Sequence, residues 1–212
     1  MDNVQTNFKT LLHVISKSPL LKHLAVVNVS LFNICKCDDS TIAELFQCLP
    51  VVESLFLSIW VIMCLVEDGI PRELPISLVH LKYFYLEHMC FVDDYGLPFL
   101  ALLIRCSPNL EKLKLQVIHK STYMQSKIDS VCLEDYSDIS LEHLNELEIR
   151  NCRNLKPELE FVKLILAKSP MLKKVTISLN NRVAKDEEME MLRILFCFPQ
   201  ASSVQISVRR PI

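Results

Sequence analysis

The sequence predicts an α/β solenoid of about seven irregular repeats, with a parallel sheet on its concave face and helices or loops on its convex face. The first observation behind this is a phrase in which proline is followed by apolar residues two, five and seven positions later. It reads Pro19-Leu21-Leu24-Val26, Pro50-Val52-Leu55-Leu57, Pro108-Leu110-Leu113-Leu115, Pro170-Leu172-Val175-Ile177 and Pro199-Ala201-Val204-Ile206. Two further copies, Leu81-Phe84-Leu86 and Leu144-Leu147-Ile149, lack the proline and keep the ending. The second observation is their regularity. The first apolar residue of each ending falls at 24, 55, 84, 113, 147, 175 and 204, giving intervals of 31, 29, 29, 34, 28 and 29.

The ending L-x-x-L-x-L is the core of the leucine-rich repeat, whose unit runs to about 20–29 residues, so these are long and irregular copies. The x-L-x-L segment alternates with period two, which places its two apolar side chains on one face and their neighbours on the other. One such strand per unit, stacked in register, builds a parallel sheet.

The remainder of each unit follows from apolar spacing. Val4, Phe8, Leu11, Leu12 and Ile15 recur at helical spacing before the first phrase, and Leu97, Leu100, Ala101, Leu103 and Ile104 before Pro108. Leu159, Val162, Ile165 and Leu166 form the next such set, then Met189, Leu192, Leu195 and Phe196. Helix starts are signalled by Thr41 with Glu44, a capping-box spacing, by Pro157 with Glu158 and Glu160, and by Asp186-Glu187-Glu188. The phrase proline ends each helix, because it cannot continue the hydrogen-bond ladder and pushes the preceding residue out of the helical region. Residues 58–83 and 116–143 show no helical pattern and are expected to be extended or loop-rich. The repeats are assigned to residues 1–131, and residues 132–212 form terminal repeats continuous with the same solenoid.

Composition excludes several functional classes. Of 212 residues, 50% are hydrophobic and the net charge is −2, so the chain can bury a substantial core and has no basic excess for nucleic acid. With only Gly69 and Gly96, glycine-rich phosphate loops and flexible linkers are excluded. The most hydrophobic run, Leu55–Val66, has 12 residues against the roughly 20 needed to span a membrane. It is expected to be a buried strand and its continuation, and no membrane association follows from it. The start, Met1-Asp2-Asn3-Val4-Gln5, has neither the basic residues nor the apolar run of a signal peptide. An intracellular location, cytoplasmic or nuclear, is expected, and there the sequon Asn28-Val29-Ser30 carries no meaning. The nine cysteines are odd in number and most sit among apolar residues, as reduced thiols acting as small hydrophobes do.

Motifs that carry chemistry are sparse. Cys35-Lys36-Cys37 lacks a second pair at zinc-site spacing, and no metal or other cofactor is expected. His13, His23, His80, His88, His119 and His143 are scattered and read as rim or surface residues. Asp38-Asp39 and Asp93-Asp94 precede predicted helices and read as caps rather than an acid/base pair. No G-x-S-x-G, Walker loop or H-E-x-x-H occurs, and the chain is read as a non-enzyme. The acidic run 186–190 reads as a solvated first turn, and Arg209-Arg210 as a terminal tail.

A candidate binding face follows from strand parity. If Leu24 and Val26 point inward, their neighbours face outward, and the central outward row is Ala25, Phe56, Tyr85, Lys114, Glu148, Thr176 and Gln205. One flanking row holds Ser54, Tyr83, Lys112, Glu146, Lys174 and Ser203; the other holds Ser58, Glu87, Gln116, Arg150, Ser178 and Ser207. Aromatic side chains beside a charged region have the make-up of a protein-binding surface. The candidate residues are therefore Phe56, Tyr83, Tyr85, Lys112, Lys114, Glu146, Glu148, Lys174, Thr176 and Gln205.

Ser107-Pro108-Asn109-Leu110-Glu111-Lys112-Leu113 and Ser169-Pro170-Met171-Leu172-Lys173-Lys174-Val175 resemble the S-P-x-L-E/K-K-L phrase of plant F-box proteins with leucine-rich repeats. The stretch from Leu141 to Ile149, on through Glu158–Leu164 to Val204-Gln205-Ile206, resembles the FBD domain found at the end of those proteins. The resemblance implies the substrate-recognition part of a cullin-based (SCF-type) ubiquitin ligase, whose repeats present an as yet unnamed target protein. In such proteins a helical F-box docks a Skp-type adaptor. No segment here reads as an F-box, since the first helix begins within a few residues of Met1, so an adaptor is expected only if an F-box lies upstream. The alternative is a stand-alone or truncated repeat scaffold with no ligase role.

Overall fold

Six of the seven phrases fold into one tight turn followed by one strand. The carbonyl oxygens of Ser18, Leu49, Leu78, Ser107, Leu141 and Ser169 each accept a hydrogen bond from the N–H three residues on, at Leu21, Val52, Leu81, Leu110, Leu144 and Leu172. Proline at the second position of four of these turns is pre-set near the φ that the turn requires. The computed structural model behind this description covers residues 8–26, 41–66, 69–71, 73–74, 76–119, 136 and 138–210. Val4, the sequon, the Cys35-Lys36-Cys37 pair, Asp38-Asp39 and Cys132 lie outside these residues, as does most of the 116–143 interval.

In chain order the elements are α1 (Phe8–Ser16), β1 (His23–Val26), α2 (Ile42–Gln47), β2 (Ser54–Ser58), α3 (Ile59–Leu65), β3 (Tyr83–Met89) and α4 (Gly96–Cys106). Then come β4 (Lys112–Val117), β5 (Glu146–Cys152), α5 (Lys156–Lys168), β6 (Lys174–Leu179), α6 (Lys185–Cys197) and β7 (Gln205–Arg209). The seven strands form one sheet in the order β1-β2-β3-β4-β5-β6-β7, every neighbouring pair parallel. This α/β arrangement is compatible with a leucine-rich-repeat solenoid. The inward rows, Leu55, Phe84, Leu113, Leu147 and Val175 with Leu57, Leu86, Leu115, Ile149 and Ile177, are at most 1% exposed and share one core with the helices.

A second ladder aligns the strand starts. The carbonyl of Lys22 accepts the N–H groups of both Glu53 and Ser54, and that of Glu53 accepts those of Lys82 and Tyr83. Lys82, Glu111 and Asn145 repeat the pattern toward the next rung. At the other end, His88 (φ 61°) and Asn151 (φ 64°) each insert one extra left-handed residue, where the register shifts between Leu86 and Met89 and between Arg150 and Cys152. Asn151 fits this conformation and also bonds the Val117 carbonyl and the Asn180 amide across neighbouring rungs.

Most helix signals hold. Thr41 and Glu44 form the reciprocal capping box, and the Asp93 carboxylate accepts from the N–H groups of Tyr95 and Gly96 at the start of α4. Several expectations require correction. Residues 59–65, read as strand continuation, form α3, begun by Ser58, whose hydroxyl accepts from the Trp60 N–H. In α6 the core-facing residues are Met191 and Leu195, whereas Met189 and Phe196 are exposed.

The last strand is shifted by two residues. Ile206 and Val208 stand opposite Val175 and Ile177, so Gln205 stands beside Lys174 and Ser207 beside Thr176. The seventh phrase lacks the common turn, the Ala201 N–H donating instead to the Leu166 carbonyl. Finally, Arg210 is no free tail: its Nε donates to Glu188 at 2.6 Å and its Nη1 to the Val183 carbonyl, clasping the end of β7 to the start of α6.

Glu158 is a first-turn acid of α5, as read, but it is also buried at 1% exposure. Its carboxyl accepts from the N–H groups of Arg153 and Leu155, from the Cys152 thiol and from His119 Nε2 at 2.9 Å. Burial, then Glu158 itself, pushes the Cys152 thiol well up, which keeps it a donor. His119, read as a rim residue, is thus packed inside. Replacing Glu158 by Ala orphans several buried donors and should lower stability by about 2–4 kcal/mol, measured as a drop in the urea midpoint at unchanged slope. Gly96→Ala should cost about 1–3 kcal/mol in the same assay, because its Cβ would overlap the Cys90 carbonyl oxygen.

Candidate protein-binding face

The face of the sheet opposite the core presents three columns of side chains running across the strands. Parallel pairing fixes them. The first column reads His23, Ser54, Tyr83, Lys112, Glu146, Lys174 and Gln205; the second reads Ala25, Phe56, Tyr85, Lys114, Glu148, Thr176 and Ser207. The third includes Ser58, Glu87, Gln116, Arg150, Ser178 and Arg209.

Phe56, Tyr83 and Tyr85 form one half-buried cluster, with Phe56 5.2 Å from Tyr83 and 5.7 Å, edge to face, from Tyr85. Such contacts hold rings rigid while leaving part of each exposed. Tyr85 donates its hydroxyl to Gln116 Oε1 at 2.6 Å, which fixes the ring further. Burial raises the pKa of both tyrosines, so their hydroxyls stay protonated.

The charged residues continue from this cluster without a gap. Lys114 Nζ lies 5.1 Å from the centre of the Tyr85 ring and 3.6 Å from Glu148. Glu148 also accepts from Arg150 at 2.5 Å. In the first column Glu146 is held between Lys174 at 3.0 Å and Lys112 at 3.2 Å. The Lys174 hydrogen bond, followed by Lys112, holds the Glu146 carboxyl below its ordinary range. Thus nine of the ten sequence-derived residues share one continuous patch with Gln205 at its edge, but Thr176 is buried, and its hydroxyl has no partner among the described residues. Arg150 and Gln116, known beforehand only as flanking positions, are integral to the patch.

Beside the aromatic cluster, Ser58, Glu87 and His88 lie close together. Ser58 and Glu87 both approach the same ring nitrogen, His88 Nδ1, at 3.2 and 3.6 Å. Ser58 is fully buried and occupied as the cap of α3, so this grouping locks the bulge onto the neighbouring rung. Among the described residues no three His, Cys, Asp or Glu side chains are grouped to hold a metal ion, and no helix is long and apolar enough to cross a membrane.

A family model described as FBD matches residues 140–177, from the turn before β5 through α5 to β6. An F-box/FBD/LRR-repeat protein of Arabidopsis thaliana is 29% identical over 165 residues, which is 77% of this chain and 39% of the relative. Over most of its length the chain is similar to a plant F-box/FBD/LRR-repeat protein. The matched region thus spans well under half of that relative. No solved structure matches. The matched stretch holds Glu146, Glu148, Arg150 and Lys174, while the aromatic half of the patch lies N-terminal to it.

The lowered Glu146 pKa fixes the sign of a pH effect. The stabilisation is fully present above the ordinary glutamate value of 4.5 and is lost as pH falls through the lower value of the folded state. Between pH 6 and pH 3 the wild type should therefore lose more stability than Glu146→Gln, by under about 1 kcal/mol, in urea titrations at low salt.

Proposed function

We propose that this chain is a protein-interaction module, a leucine-rich-repeat solenoid in which residues 1–131 and the FBD-like residues 132–212 run as one body and the open face captures a target protein. We further infer that it is the target-reading part of an SCF-type ubiquitin-ligase receptor. The observation that carries the interaction reading is the half-exposed Phe56–Tyr83–Tyr85 cluster joined to an ion-pair network on the sheet face opposite the core. Aromatic anchors next to charge are the usual centre of a binding hot spot. The F-box in the name of the Arabidopsis relative supports the ligase role, and an adaptor of the Skp type would be engaged only through an F-box. The second reading is a repeat scaffold without ligase function, for which the open face alone suffices.

Replacement of Phe56, Tyr83 and Tyr85 by alanine should weaken capture of a purified target at least about tenfold while leaving the urea midpoint within about 1 kcal/mol of the parent. Retention of affinity by the triple variant would remove the open face from the interface. Mapping the 5′ end of the transcript separates the two readings: an in-frame F-box supports the receptor, and a stop codon close upstream of Met1 supports the scaffold.

A further inference from the structure

The charges on the open face are unequal in number and in height. Between β4 and β6, four cations, Lys112, Lys114, Arg150 and Lys174, share two carboxylates, Glu146 and Glu148. The carboxylates lie deeper, with side chains 28% and 26% exposed, whereas Lys112, Lys174 and Arg150 are 51%, 46% and 49% exposed. Glu146 is thus roofed by Lys112 and Lys174 and Glu148 by Arg150, while Lys114, 17% exposed, lies beside Glu148 beneath that roof, and what the described residues of the patch show to solvent is positive. Glu87, the other acid of these columns, stands a rung nearer the aromatics and approaches His88. This local excess occurs on a chain whose net charge is −2.

The aromatic cluster and the cationic roof are side by side, bridged by Lys114. Neighbouring strands lie about 4.8 Å apart, so the centre of the aromatics on β2 and β3 is about 10–12 Å from that of the cations on β4, β5 and β6. An extended peptide crossing the strands advances about 3.3 Å per residue and covers that span in three or four residues.

Resting on the open-face reading above, we propose that the partner is an extended acidic protein segment. Its apolar anchor seats on Phe56, Tyr83 and Tyr85, and acidic side chains three and four positions away meet the exposed cations Lys112, Lys174 and Arg150. Charge complementarity here selects the partner and speeds encounter, while the aromatics supply the buried area. The existing ion pairs preorganise the cations, because each is held over a glutamate before the partner arrives.

The probes are synthetic ten-residue peptides with one leucine anchor and a glutamate pair three and four positions to either side. Controls carry lysine in place of glutamate, or the glutamates directly adjacent to the anchor. Fluorescence polarisation should show the spaced acidic peptides binding about tenfold or more tighter than the lysine peptides, an advantage that shrinks between about 50 and 300 mM salt. Lys112→Glu with Lys174→Glu should abolish that advantage; Lys112→Gln with Lys174→Gln, which adds no repulsion against Glu146, should reduce it if the reversed variant fails to fold. Phe56→Ala with Tyr83→Ala and Tyr85→Ala should remove binding of every peptide. Equal binding of acidic and lysine peptides, lost in the aromatic variant, would overturn the acidic partner and leave the open face as the interface. Binding indifferent to the aromatic variant would overturn both. Failure of all peptides to bind, or no preference for the spaced acids, would overturn the inference.

Discussion

The sheet depends on strict superposition of one rung on the next. In a parallel pair the hydrogen bonds alone are evenly spaced and tolerate a slip, and what pins the register here is the coincidence of two rows. One is the leucine row, which leaves the core if a strand moves by one residue. The other is the run of carbonyls from Lys22 to Asn145, each taking two N–H groups from the following rung. Because both agree from β1 to β6, residues 28 or more apart in sequence arrive as direct neighbours on the open face. The candidate site is a by-product of that alignment. None of its three columns is contiguous in the chain.

This explains which parts were legible in the sequence. Strand positions and facing depend only on alternation and on the turn that begins each strand, and both are written locally. Phe56, Tyr83 and Tyr85 can therefore be placed together by counting alone. A shift of two residues preserves facing, which is why the position of Gln205 relative to Thr176 escaped: alternation looks identical in either register, and the common turn that would distinguish them is missing before β7. The helix α3 escaped for another reason. Ile59-Trp60-Val61-Ile62-Met63-Cys64-Leu65 has no polar face, so it carries no period to read, and it follows β2 without a breaker.

Tertiary pairings were illegible in principle. His119 and Glu158 are 39 residues apart and on opposite sides of the longest interval between strands. A glutamate following Pro157 satisfies the rule for a helix start, and nothing local indicates that it will also be sealed from water. The same is true of Arg210 and Glu188, two ends of separate charge runs that fold onto each other. Partner identity among the open-face charges lies between these cases. The columns are countable, but the depth of Glu146 and Glu148 beneath their cations is set by side-chain geometry, and from that depth comes the sign of the surface.

The proline-led turns have a consequence in the state that the folded structure does not show. A chain with ten prolines and only two glycines has few residues free to roam the left-handed half of backbone space once unfolded. Its denatured ensemble is correspondingly narrow, and folding surrenders less backbone entropy at every turn from which a repeat begins. Part of the stability of this sheet thus resides in the poverty of its alternatives, which is a means by which long, irregular repeats with unequal intervals can still hold one alignment.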